Sequence, residues 1–393
     1  MRYYCESKTP CPYYHQFRHF IPSGAIIMNS MKWEAETWML RKPKVAVEII
    51  DEGDAFLDSI AYKTNINRRT FQTLQRENLL TQQELDNLEA EYLRIFINHK
   101  KSMEFELTSI PEILSFINFL ADLLLESDSS VLMDLQYKLG IITSFKDYAW
   151  VHVENTEQSK TLTFYIPRMD ITLDELRKRS GKLVFMSATS HSDENYRNIY
   201  NIMPKRVYAQ ERNPGTIYLM TPEVDRLLNV SDRNWKRKGF KEYYWRLLDD
   251  QLKVAARPCY VLVHARRYLP PYYQPMREEY GEKYWCRDGL EDVFFSTKMD
   301  RGIDLKDDLC RSIVLLKYPI PYLGDVVLKT IRKQYGEPDF WKYVLDLANR
   351  ELLQQCGRAV RNRDDWCEIY SPDQNVIYNL QNTWIGKLIE KTY

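Results

Sequence analysis

Five short apolar runs, each followed by polar or charged residues, narrow the folds open to this chain. Lys44-Val45-Ala46-Val47-Glu48-Ile49-Ile50 comes first and Gly181-Lys182-Leu183-Val184-Phe185-Met186 second. Tyr260-Val261-Leu262-Val263, Val293-Phe294-Phe295 and Ser312-Ile313-Val314-Leu315-Leu316 follow. Near-continuous apolar runs, unlike alternating ones, mark strands buried on both faces, and helical patterns between them mark a parallel sheet. The expectation is an α/β fold. The 393 residues leave room for two or three domains with cores of their own.

One interval breaks this rhythm. From about Asn65 to Gly140 the period is helical. Thr81 and Glu84 form a capping-box pattern ahead of the stripe Leu85, Leu88, Tyr92, Ile95 and Phe96. Ser109 and Glu112, with Pro111 in the first turn, repeat the start signal before Ile113, Leu114, Ile117, Leu120 and Leu124. Residues 149–154 and 161–166 then read as a hairpin around 155–159. A helical domain inserted between two strands of one sheet is predicted, with a second α/β unit from about Pro204.

The 55 Lys and Arg residues cancel the 55 Asp and Glu residues, so any nucleic acid must be held by local patches. The apolar stretch 113–125 is broken by Asn118 and Asp122, and the start, Met1-Arg2-Tyr3-Tyr4-Cys5-Glu6, has no apolar signal core. Seven cysteines in a chain this long make no disulfide framework. A soluble, cytoplasmic protein without a membrane partner is expected.

Residues just after parallel strands carry the ligand chemistry of α/β folds. Asp51-Glu52 suits a Mg-ATP hydrolase, one carboxylate for the magnesium shell and one for the attacking water; alone, such a pair more commonly marks a solvated acidic turn. Ser187-Ala188-Thr189 offers two hydroxyls on a turn, for relaying hydrogen bonds or for ordinary turn chemistry. After the strand at 293–295 come Ser296-Thr297 and Arg301-Gly302-Ile303-Asp304. Gly302 lets backbone approach a ligand, and Asp304 suits a ribose hydroxyl or an arginine, or simply a charged loop. On a helix, Arg358 and Arg361 of Gln354-Gln355-Cys356-Gly357-Arg358-Ala359-Val360-Arg361 share a face with Gln354 one turn before. Paired guanidiniums stabilise developing phosphoryl charge, though a solvated basic face has the same spacing.

In this order the clusters resemble motifs II, III, V and VI of superfamily 2 helicases, most nearly the XPD/DinG branch. Residues 260–268 resemble that family's motif IV, and residues 25–33 its strand-plus-Asn segment. The resemblance implies two RecA-like parallel-sheet motor domains, the first incomplete, with a helical arch insertion. Their bounds would be 21–64 and 165–203 for the first, 65–164 for the arch and 204–393 for the second, with 1–20 from an iron–sulfur domain. It implies ATP and Mg2+ as cofactors, with Asp51, Glu52, Gln354, Arg358 and Arg361 catalytic. Asp54, Ser187, Ala188 and Thr189 would couple, and Gly302, Asp304 and Gly357 would bind nucleotide. Cys5 and Cys11 resemble two of the four thiolates of a [4Fe–4S] cluster; two ordinary thiols read the same way. The partner implied is single-stranded or forked DNA, with 5′→3′ movement in DNA repair.

The sequence departs from that family in one essential. No phosphate loop ending in Gly-Lys-Ser/Thr occurs; Gly181-Lys182-Leu183 and Gly386-Lys387-Leu388 lack the hydroxyl. Asp54 also stands where the family usually has His. The expectation is an amino-terminally truncated helicase, inactive alone, whose first sheet has an open edge and face and whose missing part is either a separate chain carrying the phosphate loop or lost from a remnant frame. The alternative is a non-catalytic module binding single-stranded DNA or a partner. For DNA contact, Lys236 and Arg237 with Tyr243, Tyr244 and Trp245, and Arg266 and Arg267 with Tyr268, combine cations with aromatic rings. An amphipathic helix over 243–248 with its rings packed inward has the same pattern.

Overall fold

The structure, a computed structural model, describes residues 24–29, 32–33, 36–37, 42–76, 80–125, 130–178, 180–208, 215–222, 228–271, 274–279, 282–286, 292–296, 305, 307–360, 362–384 and 386–393. By internal packing they form two units. The first holds the described residues up to Ser187, with Asp193–Met203 and Leu323–Phe340; the second holds Ala188–Ser192, Pro204–Tyr322 and Trp341–Tyr393.

In the first unit, strand β1 (Val45–Ile50) runs into the helix Gly53–Asp58, which buries Phe56 and Leu57. The chain then builds an antiparallel sheet, order β2-β5-β4-β3, from β2 (Tyr62–Asn67), β3 (Met103–Glu106), β4 (Trp150–Asn155) and β5 (Lys160–Ile166). It returns as β6 (Ser180–Phe185), parallel to β1 with Ile49 opposite Val184 and Ile50 opposite Phe185.

Helix Gln82–Asn98 starts where the capping box predicts: Thr81 Oγ1 accepts from the Glu84 amide and the Glu84 carboxylate accepts from the Thr81 amide. Its stripe Leu85, Leu88, Tyr92, Ile95 and Phe96 packs with Ile113, Phe116, Ile117 and Leu120 of helix Pro111–Leu125, over Val151, Val153, Leu162 and Phe164 of the sheet. The Tyr92 hydroxyl donates to the Lys160 carbonyl at 2.7 Å, and burial raises its pKa above the ordinary value.

Four expectations are corrected. The interval 65–140 is not helical throughout: Met103–Glu106, with exposed ends and half-buried middle residues, pairs with β4. Ser109 lies in a short 3₁₀ turn, and its hydroxyl donates to the Glu106 carbonyl instead of capping the next helix. β1 and β6 are not covered on both faces. Phe56 stacks on Phe185 on one side, while Val47, Ile49, Val184 and Met186 are 51, 63, 41 and 47% exposed. The apolar run signals a two-sided strand, but among the described residues only one side has its cover, as the expectation of an open face for this sheet requires. Residues 25–29 form no strand either.

The second unit is doubly wound. β7 (Thr216–Thr221), β8 (Cys259–Leu262), β11 (Val293–Ser296), β12 (Ser312–Leu315), β13 (Trp366–Tyr370) and β14 (Lys387–Thr392) make a six-stranded sheet in the order β11-β8-β12-β13-β7-β14, with every neighbouring pair parallel. A hairpin, β9 (Gln274–Glu279) with β10 (Glu282–Cys286), pairs separately from it. Successive β12 residues serve opposite faces, as strand geometry requires. Ile313 and Leu315 pack with Leu352, Cys356 and Leu380; Val314 packs with Tyr244, Leu248 and Leu252 of helix Phe240–Val254. Fully buried β12 is the two-sided strand its sequence predicts.

The turns at the carboxyl ends are pinned by Asp373. Its buried carboxylate accepts from the amides of Tyr318 (3.0 Å), Asn375 (3.1 Å) and Val230 (3.4 Å), and burial, ahead of those bonds, raises its pKa. Among the described residues no helix is long and apolar enough to cross a membrane.

Cys259, Cys310, Cys356 and Cys367 are buried in this unit, and burial pushes the Cys259 thiol up to about 12. A thiolate-directed reagent at about pH 8 should leave these four unlabelled in the native protein and label them on unfolding, read by peptide mass spectrometry.

Candidate functional site

The acidic cluster is shaped by backbone strapping. The Met186 amide donates to the Ile50 carbonyl and the Gly53 amide to the Met186 carbonyl, both at 2.8 Å, so the turns that leave β1 and β6 are tied together. Glu52 takes a left-handed conformation, φ 49° and ψ 45°, and a Cβ at Gly53 would lie 2.7 Å from Phe185 Cβ. Only glycine fits that approach. The result splits the carboxylates. Asp51 and Glu52 are exposed, Asp51 Oδ1 accepting from the Glu52 amide at 3.0 Å. Asp54 turns inward, 1% exposed, and accepts from Ser187 Oγ at 2.6 Å. An aspartate at this position therefore still reaches the serine of the Ser-Ala-Thr turn.

In the second unit, Thr189 Oγ1 accepts from Gln354 Nε2 at 3.0 Å. Gln354 belongs to the helix Val326–Cys356, which is broken at Gly336 (φ 79°, ψ 167°) just before Pro338. Arg350 and Asp346 lie one and two turns before Gln354 on that helix. Asp346 Oδ2 accepts from His191 Nδ1 at 2.9 Å and from Arg350 Nε at 3.0 Å, while its Oδ1 accepts from the Ser192 amide at 3.1 Å. Burial alone would raise this carboxyl; the His191 hydrogen bond and the Arg350 charge outweigh it and hold the group below its ordinary value. The Arg206 guanidinium donates to the His191 carbonyl (2.7 Å) and to Ser190 Oγ (2.5 Å).

The arginine cluster differs from the helical expectation. The helix ends at Cys356, the Gly357 amide donating to the Leu353 carbonyl at 2.8 Å, and Ala359 and Val360 turn into the core. Half-buried Arg358 thus sits in the turn after the helix, not on a helix face. Arg361, Gly302, Asp304, Cys5 and Cys11 lie outside the described residues. Exposed Ala188 joins Ser187 to Thr189.

The DNA candidates also divide. Lys236, Arg237, Arg266 and Arg267 lie at the surface, Arg267 52% exposed, and Arg267 donates to Asp232 Oδ1 and to the Tyr268 hydroxyl, both at 2.7 Å. Tyr268, however, is 3% exposed, packed edge-on to Trp235 at 4.9 Å, and fully buried Tyr244 donates to the Leu316 carbonyl at 2.6 Å. These rings pack inward, so the expected base-stacking face at Tyr268 is corrected to a core role. Lys241 and Lys317 cover the rings of Trp235 and Tyr268, at 5.8 and 5.5 Å. The cations therefore fringe an aromatic core.

Sequence reasoning missed His191, Asp346, Arg350 and Arg206. The available signal was the spacing Asp346, Arg350, Gln354, polar residues at intervals of four on a helix that otherwise buries Val344, Ala348 and Leu352. Among the described residues no group of three or more His, Cys, Asp or Glu side chains is arranged to hold a metal.

Comparison with known proteins adds three findings. Residues 265–390 match the family described as a helicase C-terminal domain. The chain is 30% identical over 98 residues to the ATP-dependent DNA helicase CHL1 of Saccharomyces cerevisiae (strain YJM789), covering 22% of this chain and 11% of that protein. It is 30% identical over 113 residues to the protein of that name from Vanderwaltozyma polyspora, covering 24% and 13%. The match thus spans a small part of those relatives. Among solved structures, an XPD helicase superposes with a TM-score of 0.60 at 16% identity, covering 98% of this chain and 76% of that one. The S. tokodaii Xpd4 structure does so with 0.53 at 15% identity, covering 88% and 76%. At these identities the likeness is one of fold.

Two substitutions test the strapped turn. Gly53→Ala should cost about 1–3 kcal/mol by overpacking against Phe185. Ser187→Ala should cost about 1.5–3 kcal/mol, because buried Asp54 loses a charged hydrogen bond. Denaturant midpoints at constant slope measure both.

Proposed function

We propose that this chain, a superfamily 2 helicase of the XPD type by sequence and fold, carries the acidic, coupling and arginine elements of an ATP-dependent DNA helicase. One observation supports this most: in the turn Ser187-Ala188-Thr189, the first hydroxyl is bonded to Asp54 of the acidic cluster and the second to Gln354 of the arginine cluster. Ordinary turn chemistry explains neither long-range partner.

The roles follow from residue chemistry. Asp51 and Glu52, exposed carboxylates at the end of a parallel strand, suit a hydrated magnesium ion and an attacking water respectively. Bound ATP with magnesium would supply the transferable phosphoryl group and the charge that holds it. Arg358 and Arg361 would neutralise charge developing on the γ-phosphate; Gln354, Gly357, Gly302 and Asp304 would line the nucleotide. Asp54, Ser187 and Thr189 would relay its state to the DNA-binding surface. By family likeness the DNA is single-stranded or forked, travel is 5′→3′ and the setting is repair.

Two elements are incomplete. These 393 residues hold no Gly-Lys-Ser/Thr loop, so turnover would require a phosphate loop from sequence outside them, such as a separate chain. A [4Fe–4S] cluster needs four thiolates. Cys5 and Cys11 would give two, and the buried Cys259, Cys310, Cys356 and Cys367 form no metal-holding group, so no step is assigned to a cluster. The missing loop also favours a second reading, a DNA-binding module without turnover.

Single-strand binding tests the DNA part of the proposal. Affinity followed by fluorescence anisotropy should fall linearly on a log–log salt plot. Lys236→Ala, Arg237→Ala and Arg266→Ala should each make that slope shallower by about 0.7, the increment for one phosphate left unneutralised on a single strand. Affinity insensitive to salt and to all three changes would overturn the assignment.

A further inference from the structure

His191 has no role in the proposed chemistry, yet it is a fully buried imidazole in a turn otherwise rich in exposed hydroxyls. Burying a polar ring is costly unless its nitrogens find partners, and here the partner comes from far along the chain. Asp346 takes the His191 ring N–H with one oxygen and the Ser192 amide with the other. Arg350, one turn further, fixes the carboxylate from its own helix. One more turn brings Gln354 to Thr189. Three consecutive turns of one helix thus hold residues 189, 191 and 192 in register, and Arg206 adds bonds to the His191 carbonyl and the Ser190 hydroxyl.

We infer that Asp346 and His191 are positioning residues: a clasp between the Asp346 carboxylate and the His191 ring with the Ser192 amide fixes the turn so that the Thr189 hydroxyl meets Gln354. The meaning of that meeting for nucleotide coupling rests on the function proposed above; the clasp itself does not. It predicts that a donor at the His191 ring position matters more than the volume of the ring. A hydroxyl held only by the local turn would rotate among solvent partners. Held through a half-buried carboxylate on the helix that ends at Cys356, just before Gly357-Arg358, it moves only when that helix moves.

The experiment is amide hydrogen exchange, by mass spectrometry, on the full chain. Asp346→Ala removes both acceptors, and exchange across 189–192 should rise about tenfold, the factor expected for one lost net hydrogen bond. Exchange in β12 and β13 should stay unchanged. His191→Asn keeps an N–H donor near the ring nitrogen and should preserve most of the protection. His191→Phe keeps the ring volume without the donor and should lose protection as Asp346→Ala does. Protection retained in His191→Phe but lost in His191→Asn would make the ring a mere filler and overturn the clasp. So would unchanged exchange in Asp346→Ala, or equal loss in both His191 variants. Should Asp346→Ala fail to fold, the His191 pair decides alone. Asp51→Ala, which disables the proposed chemistry, should leave 189–192 protected. Failure of the nucleotide reading therefore does not move this result.

Discussion

The structure of the acidic site depends on the hydrogen bond from Ser187 to the buried Asp54 and on the backbone strap beside it. Asp54 could not be buried as a carboxylate without a donor, and Ser187 supplies one. The amide and carbonyl of Met186, one residue earlier, tie the β1 and β6 exits together. With Asp54 turned in, the left-handed Glu52 and the close approach of Gly53 leave Asp51 and Glu52 facing solvent. Thus a short acidic run divides into one structural carboxylate and two chemically available ones.

The second unit solves a different problem. Six parallel strands with helices on both faces bury β12 completely. Among the described residues, that sheet has candidate groups at its margins: the cations after β8, the pinned turns around Asp373, and the helix from Trp341 to Cys356. Side chains on that helix do both jobs. Leu352 and Cys356 fill the core, while Asp346, Arg350 and Gln354 hold the turn at 189–192. The Trp235–Tyr244–Tyr268 cluster similarly converts an aromatic-rich stretch into core and leaves its charge outside.

Much of this was legible in the sequence. Strands with β-branched runs declared themselves, as did the capping box at Thr81 and the hairpin at 150–166, because those signals are local. Asp51, Glu52, Ser187, Thr189 and Gln354 were picked out by their positions after strands and by their order. What was not legible depends on distant segments. The apolar run of β1 by itself reads like a strand covered on both faces, since it records an apolar side chain and not its neighbour; its open face was legible only from the absent phosphate-loop motif. Tyr268 looked like a stacking platform because exposure has no local signature. The end of the helix at Cys356 escaped notice because Gly357 is followed by residues that the core, not helix propensity, draws inward. His191 and Asp346 find each other across a separation of 155 residues, and no spacing rule reaches that far.

The proposal to be tested is that Asp51, Glu52, Arg358 and Arg361 would act in catalysis, in a chain whose sequence has no Gly-Lys-Ser/Thr phosphate loop. Steady-state ATP hydrolysis by the purified chain, with and without saturating single-stranded DNA, tests it most directly. The account predicts no DNA-stimulated turnover above that of the Glu52→Gln variant. DNA-stimulated hydrolysis abolished by Asp51→Ala or Arg358→Ala would contradict it.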